Sequence, residues 1–158
     1  MPRLDNGDAF PILAFDTVTD GTISVPHHLA GHYGVVLMYR GSWCPYCNMQ
    51  LSGFARAKSK LDRLGIKVVA LSVDNEADAT ALAEKYSLPF PLGYGVNADE
   101  IAASTGAYIN HAPRYLQSTG FVLDPGGKVI TAVYSSGAIG RLVAEDVIGF
   151  VEYLKSKA

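Results

Sequence analysis

Two cysteines separated by two residues, Cys44 and Cys47, are the side chains of this sequence best suited to chemistry. They follow an apolar run typical of a buried strand, and Pro45 suits the first position of the helix that comes next. The start of a helix carries unpaired N–H groups and about half a positive charge, which favour a thiolate over a thiol. Cysteines in such positions have pKa values of about 3.5–7.5, and the thiolate is the reactive form.

The spacing of these cysteines also allows them to bond to each other. Residues three apart on a helix lie about 5–6 Å apart at Cβ, and a disulfide needs about 3.5–4.5 Å. A small adjustment at the helix start closes this gap. The pair therefore predicts a reversible disulfide and thiol–disulfide redox chemistry.

Two other interpretations of the pair are inert buried thiols and half of a zinc site. Inert cysteines rarely flank a proline at a helix start. Zinc takes about four ligands, and the histidines show no Cys-His ligand spacing (His27, His28, His32 and His111). The sequence predicts no metal site, and it carries no motif for an organic cofactor.

Three arginines and a tryptophan are candidate supporting residues for the dithiol. Arg40, four residues before Cys44, could add positive charge near the thiols or could be a solvated residue at a strand end. Trp43 could shield one flank of the site or anchor packing at the sheet edge. Arg114 and Arg141 are further candidate cations, although each could equally be a surface charge.

Hydrophobic patterns predict an α/β fold in a single domain over residues 1–158. Continuous or alternating apolar runs predict strands at 34–39 and 66–73 and two hairpins, 12–15 with 22–25 and 121–124 with 129–134. Helical spacing predicts one long helix from Cys44 to about Leu64, helices after the caps Asn75 and Asn97, and a last helix over 143–154. This order gives a central mixed β-sheet with helices on both faces.

Composition excludes several function classes. The formal net charge of −2 provides no basic field for nucleic acid or for an anionic membrane. Residues 1–8 lack the apolar core of a signal peptide, and no apolar run approaches the roughly 18 residues of a membrane span. We therefore expect a cytoplasmic protein, in which a closely spaced pair of cysteines is more typical of catalysis than of structure.

At its dithiol, the sequence resembles a known family. Residues 37–48 resemble the site of the peroxiredoxin-like branch of the alkyl hydroperoxide reductase/thiol-specific antioxidant family, within the thioredoxin-fold superfamily. Residues 6–11, 20–21 and 29–31 look like the N-terminal extension of that family, and residues 120–129 look like its late hairpin. The resemblance implies a thioredoxin-like fold with an N-terminal β-hairpin extension, and it allows a homodimer.

The chain departs from the family pattern at the helpers of the reactive cysteine. Peroxiredoxins generally carry a Pro, a Thr three residues before the peroxidatic Cys, and an Arg before a late strand. Aligned from Tyr39, the Pro position is Arg40, the Thr position is Cys44 and the peroxidatic position is Cys47. The expected Arg position falls near Ser118. The matching stretch of thioredoxins carries a cis-proline, whereas residues 117–120 contain none.

The roles of the two cysteines depend on the substrate. For peroxide, the family alignment favours Cys47 as the attacking sulfur and Cys44 as the resolving one. For disulfide exchange, the roles are reversed, because Cys44 at the helix cap is expected to be the most exposed.

The leading interpretation is a thiol-dependent antioxidant oxidoreductase that reduces hydroperoxides through the dithiol and is reset by a dithiol electron donor such as a thioredoxin. One alternative is a thioredoxin-type reductase of protein disulfides. Another is a non-catalytic redox sensor.

The first prediction is that Cys44 and Cys47 form an intramolecular disulfide on oxidation, because their spacing at a helix start brings the sulfurs within bonding reach. Mass spectrometry of the oxidised, alkylated protein is expected to show a peptide linked through both residues. Two alkylated thiols, or only bridges between molecules, would contradict this.

Overall fold

The computed structural model describes residues 3–158 and contains nine strands and five α-helices within that range. The strands are β1 (Leu13–Thr17), β2 (Gly21–Val25), β3 (Tyr33–Met38), β4 (Ile66–Leu71), β5 (Leu92–Tyr94), β6 (Ile109–His111), β7 (Arg114–Leu116), β8 (Thr119–Leu123) and β9 (Val129–Tyr134). The helices are α1 (Pro45–Arg56), α2 (Lys58–Arg63), α3 (Glu76–Tyr86), α4 (Ala98–Thr105) and α5 (Ala144–Ser156), with a short 3₁₀ helix at His27–Leu29.

Seven of the strands form one mixed sheet in the order β2-β1-β5-β4-β3-β8-β9. β3 lies parallel to β4 and antiparallel to β8, with Met38 opposite both Leu71 and Thr119. The carboxyl ends of β3 and β4 therefore meet the beginning of β8 at one edge of the sheet. This edge is where α1 begins.

Apolar side chains on successive residues of β3 point to opposite faces of the sheet. Val35 and Leu37 join a core cluster beneath α1, α2, α3 and α5, and Val36 and Met38 join a second cluster that includes α4. The predicted α/β fold, with a mixed sheet covered on both faces and an N-terminal hairpin, is confirmed.

The single long helix predicted from Cys44 to about Leu64 is wrong, because α1 ends and α2 begins at Ala57. The N–H of Ala57 donates to the carbonyls of both Gly53 and Phe54, and its ψ of 5° turns the chain out of the α1 axis. The apolar spacing continues through the break because Phe54 and Leu61 pack into the same core. The caps predicted at Asn75 and Asn97 are confirmed, since their side chains accept from Asp78 and Glu100 N–H groups.

Three short strands were not predicted. β5, β6 and β7 have three residues each, too few for a periodic pattern to stand out. β6 and β7 form a separate two-stranded ribbon, and their turn leads the chain back to the edge where α1 begins. Within the described residues, no helix combines the length and the apolar character that crossing a bilayer requires.

The second prediction concerns Gly93 in β5. A Cβ there would lie 2.4 Å from the ring of Phe15 and 3.1 Å from the Leu71 side chain, both in the buried core. Gly93→Ala is therefore expected to lower the free energy of unfolding by about 1–3 kcal/mol, as overpacking does elsewhere, in urea titrations followed by circular dichroism. The matched control is Gly53→Ala in α1, where nothing lies within 4 Å and helix propensity favours Ala by up to about 1 kcal/mol. An equal response of the two variants would contradict the packing argument.

Candidate active site

The two cysteines lie on the first turn of α1. Cys44 is the N-cap residue, and its sulfur accepts the main-chain N–H of Cys47 at 3.4 Å. Pro45 occupies the first helical position, where its missing N–H leaves no unpaired donor. The first turn therefore directs the main-chain N–H of Cys47 at the sulfur of Cys44.

Both sulfurs are buried. Cys44 and Cys47 are 0% exposed and belong to the core cluster beneath α1, together with Leu37 and Leu51. The expectation that Cys44 is the exposed member of the pair is therefore wrong, because the start of α1 is packed against the sheet and not raised above it.

Arg40 contacts both sulfurs from the end of β3. Its main-chain N–H donates to Cys47 Sγ at 3.4 Å, and its Nη1 lies 3.7 Å from Cys44 Sγ. The rest of the guanidinium is held by Gln117 Oε1 at 3.0 Å from Nε and by the Tyr115 hydroxyl at 2.8 Å from Nη2. Arg40 is thus a fixed cation over the dithiol.

Trp43 packs over the Arg40 guanidinium, whereas the two sulfurs are buried among core residues. Its ring centroid lies 4.9 Å from the Arg40 guanidinium carbon and packs edge-on against Tyr115 at 5.0 Å, while the side chain stays 55% exposed. Glycine at position 41 allows this placement, since a Cβ there would lie 2.2 Å from the Trp43 indole nitrogen. The indole and the phenol together form an aromatic wall around the cation.

Arg141 reaches the pair from the loop between β9 and α5. Its Nη1 donates to Cys47 Sγ at 3.3 Å, and its Nη2 donates to the Ala138 carbonyl at 2.8 Å. Arg114 is placed differently. It lies on β7 and donates to Asp99 of α4 at 3.2 Å, with both side chains exposed. Of the three candidate arginines, Arg40 and Arg141 contact the sulfurs.

A buried carboxylate fixes the loop between β3 and α1. Asp74 follows β4 and accepts the main-chain N–H of Ser42 at 2.8 Å. The Ser42 carbonyl accepts from the Asn48 side chain at 3.0 Å. Burial raises the pKa of Asp74. Ser42 is therefore held from both sides, which fixes the two residues that precede Cys44.

A family comparison agrees with this arrangement. The model of the AhpC/TSA family matches residues 6–132. The chain belongs to this family. The match includes the N-terminal hairpin, both cysteines, β8 and the first part of β9.

Curated relatives over almost the whole chain are peroxiredoxins. A peroxiredoxin of Treponema denticola is 29% identical over 160 residues, covering 99% of this chain and 75% of the relative. A peroxiredoxin of Chlorobaculum tepidum is 29% identical over 149 residues, covering 92% and 69%. The chain is therefore a peroxiredoxin-like thiol peroxidase.

Solved structures show the same fold. Peroxiredoxin 6 of Arenicola marina superposes with a TM-score of 0.84 at 19% identity, covering 96% of this chain and 74% of that one. AhpC of Mycobacterium tuberculosis superposes with a TM-score of 0.81 at 19% identity, covering 99% and 96%. The predicted thioredoxin-like fold is thereby confirmed.

The surroundings of this peroxiredoxin-like dithiol shift the pKa values of the two thiols in opposite directions. Burial opposes ionisation of Cys44, but hydrogen bonds from the Cys47 thiol and main-chain N–H and from Arg40 outweigh it and hold the pKa of Cys44 below its ordinary value. Burial and the proton donated to Cys44 raise the pKa of Cys47 to about 11. These surroundings favour a thiolate on Cys44 over a thiolate on Cys47.

Sequence reasoning missed the residues that hold the arginines and the loop. Tyr115 lies on β7, Gln117 lies between β7 and β8, and Asp74 follows β4, so these residues approach the site only in the folded chain. One signal was available for Gln117: an antiparallel β8 beside β3 places the residues before β8 next to those after β3.

The third prediction concerns the charge on the dithiol. Arg40→Met removes the guanidinium beside Cys44 while keeping an unbranched side chain, so the first ionisation of the reduced pair is expected to move to higher pH. Thiolate absorbance in the ultraviolet against pH measures this shift.

The matched control is Arg114→Met, whose guanidinium contacts Asp99 and not the sulfurs. It is expected to leave the titration unchanged. Equal titrations for wild type and Arg40→Met, or equal shifts in the two variants, would show that Arg40 does not stabilise the Cys44 thiolate.

Proposed function

We propose that this protein reduces hydroperoxides by cycling Cys44 and Cys47 between a dithiol and an intramolecular disulfide. The observation that carries the proposal is the placement of both thiols on the first turn of α1, where the main-chain N–H of Cys47 donates to Cys44 Sγ and Arg40 contacts both sulfurs. The sulfur that is oxidised first therefore lies close to the thiol that can later condense with it.

In the first step, the Cys44 thiolate attacks one oxygen of the hydroperoxide. An S–O bond forms, the O–O bond breaks, and Cys44 becomes a sulfenic acid. The second oxygen leaves as an alkoxide or hydroxide and takes up a proton to become an alcohol or water. The sulfur is oxidised by two electrons, and the peroxide is reduced by the same two.

Guanidinium groups are placed to stabilise the charge that develops on the leaving oxygen. Arg40 Nη1 lies 3.7 Å from Cys44 Sγ, and Arg141 Nη1 lies 3.3 Å from Cys47 Sγ. Removing one preorganised donor of this kind costs about 10²–10³ in rate in other enzymes. These two arginines supply, from other positions of the chain, the cation that the alignment near Ser118 lacks.

In the second step, the Cys47 sulfur attacks the sulfenic sulfur of Cys44. An S–S bond forms, the S–O bond breaks, and the hydroxyl leaves as water with the proton of Cys47. An external dithiol then returns two electrons and two protons, becomes a disulfide itself, and restores the pair. This need for a dithiol donor fits a reducing compartment such as the cytoplasm, which stays our proposal for its location.

The family alignment and the electrostatics of the site disagree about which cysteine attacks the peroxide. The family alignment favours Cys47 as the sulfur that attacks peroxide, whereas the electrostatics favour Cys44. We assign the first attack to Cys44, because burial raises the pKa of Cys47, whereas hydrogen bonds from Cys47 and Arg40 hold the pKa of Cys44 below its ordinary value.

The fourth prediction follows from this order. Cys47→Ser keeps a hydroxyl that can donate to Cys44, so it is expected to react once with peroxide and to accumulate a sulfenic acid on Cys44. Cys44→Ser is expected to lose at least about 10²-fold in this first reaction, because the favoured thiolate is gone. Trapping with dimedone followed by mass spectrometry locates the sulfenic acid, and both variants are expected to lose multiple turnover with a dithiol donor.

Other outcomes reassign the roles. A sulfenic acid that forms rapidly on Cys47 of the Cys44→Ser variant, at the wild-type rate, would restore the order given by the alignment. Peroxide consumption by wild type no faster than by free thiol, combined with rapid reduction of protein disulfides, would favour the thioredoxin-type reductase. Failure of both activities would favour the redox sensor.

A further inference from the structure

The hydroxyl group of Tyr115 has a hydrogen to donate at the edge of the active site. Its oxygen accepts from Arg40 Nη2 at 2.8 Å. An arginine has no acceptor atom, so the hydrogen in this contact belongs to the guanidinium and the phenol keeps its own. No acceptor among residues 3–158 takes the phenol hydrogen. Tyr115 is therefore a donor whose hydrogen is free within the described chain.

One guanidinium connects this hydroxyl to Cys44. Arg40 Nη1 lies 3.7 Å from Cys44 Sγ, and Nη2, which is bonded to the same carbon, holds the Tyr115 oxygen. The sulfur and the hydroxyl thus contact neighbouring nitrogens of one planar group. A hydroperoxide bound to this guanidinium can meet the sulfur with one oxygen and the phenol with the other.

Packing fixes the phenol before any substrate binds. The Tyr115 ring lies edge-on to the Trp43 ring at 5.0 Å between centroids, and the side chain is 9% exposed. A donor that is already in position needs no reorganisation when charge develops on a reacting oxygen. A hydroxyl that accepts from a cation is also polarised, which strengthens the hydrogen bond it donates. The surroundings of Tyr115 therefore suit it to act on an oxygen that becomes negative.

We propose that Tyr115 is a catalytic residue that donates its hydroxyl hydrogen to the departing oxygen of the hydroperoxide. The family pattern has a Thr hydroxyl at the position that Cys44 occupies here, and Tyr115 supplies a hydroxyl from β7 instead. This inference rests on the attack of Cys44 on peroxide proposed above.

The hydroperoxide enters on the Arg40 side of Cys44. The sulfur itself is 0% exposed, and so is Cys47, whose main-chain N–H donates to it. Arg40, in contrast, is only partly buried, and Trp43 over its guanidinium is 55% exposed. A small movement of these two side chains admits an oxygen between Nη1 and the sulfur, next to the Tyr115 hydroxyl.

The transfer of the proton completes the first chemical step. As Cys44 Sγ bonds to one oxygen, the electron pair of the O–O bond passes to the other oxygen. That oxygen takes the hydrogen of Tyr115 and leaves as water or an alcohol, a favourable transfer because a phenol is a stronger acid than water. The phenolate stays beside Arg40 until it regains a proton from solvent water. The sulfur loses the two electrons that the peroxide gains.

The test compares two oxidants that differ in their leaving group. Hydrogen peroxide releases hydroxide, which needs a proton, whereas peracetic acid releases acetate, which needs none. Reduced wild type and Tyr115→Phe are mixed with each oxidant in quenched flow, and alkylation of the remaining thiols gives the rate constants. Each constant is divided by the thiolate fraction from ultraviolet absorbance, which removes any change in ionisation. Tyr115→Phe is expected to lose about 10²-fold with hydrogen peroxide and to keep the wild-type rate with peracetic acid.

Two further variants separate a proton donor from a support for Arg40. Gln117→Met removes the hydrogen bond to Arg40 Nε and keeps the phenol, so its ratio of the two rate constants is expected to stay close to that of wild type. Tyr108→Phe is the matched control, because it removes an exposed phenol whose ring lies 4.0 Å from the guanidinium carbon of another arginine, Arg3. It is expected to equal wild type with both oxidants.

An equal fall with both oxidants in Tyr115→Phe would show that Tyr115 only positions Arg40, and this result would overturn the proposal. No fall with either oxidant, or the same selective loss in Gln117→Met or Tyr108→Phe, would also overturn it. If wild type itself reduces hydrogen peroxide no faster than free thiol does, the proposed function fails together with the donor. An active wild type with an unselective Tyr115→Phe variant overturns the donor alone.

Discussion

Placing two sulfurs at the start of a helix and burying both imposes the main constraint on this structure. A buried thiolate is unfavourable unless donors and cations surround it. Here Cys44 receives the main-chain N–H of Cys47 and the Arg40 guanidinium, and Cys47 receives the main-chain N–H of Arg40 and the Arg141 guanidinium. The elements around the site are arranged so that these donors meet at the two sulfurs.

Arg40 performs this task only because other elements hold it. Its guanidinium makes two further hydrogen bonds, to Gln117 and Tyr115, which lie at the junction of β7 and β8. Trp43 lies over the same guanidinium, and a glycine at position 41 makes room for the indole. A cation with so many fixed contacts has little freedom, which is the preorganisation that stabilises charge during a reaction.

The second cation belongs to a different part of the chain. Arg141 lies on the loop before α5, and its guanidinium donates to Cys47 Sγ and to the Ala138 carbonyl. The loop carbonyl therefore helps to hold this guanidinium against the sulfur, and each sulfur of the pair has an arginine side chain beside it.

What the sequence by itself determined is local. Cys44, Pro45 and Cys47 define a dithiol at a helix start through nearest-neighbour rules, and the apolar runs around them predicted the sheet and most helices. Those rules concern residues within a few positions of each other, and for the same reason they failed at Ala57 and at the three-residue strands, where packing decides.

The tertiary structure decided which distant residues reach the sulfurs. Arg141 is 94 residues from Cys47, and Gln117 is 77 residues from Arg40. Sequence reasoning could name Arg40, Arg114 and Arg141 as cations but could not choose among them. That choice depends on strand order: β8 lies beside β3 and brings Gln117 to Arg40, while Arg114 on β7 faces Asp99 of α4. Burial of the sulfurs, and hence the separation of their pKa values, also exists only after α1 packs on the sheet.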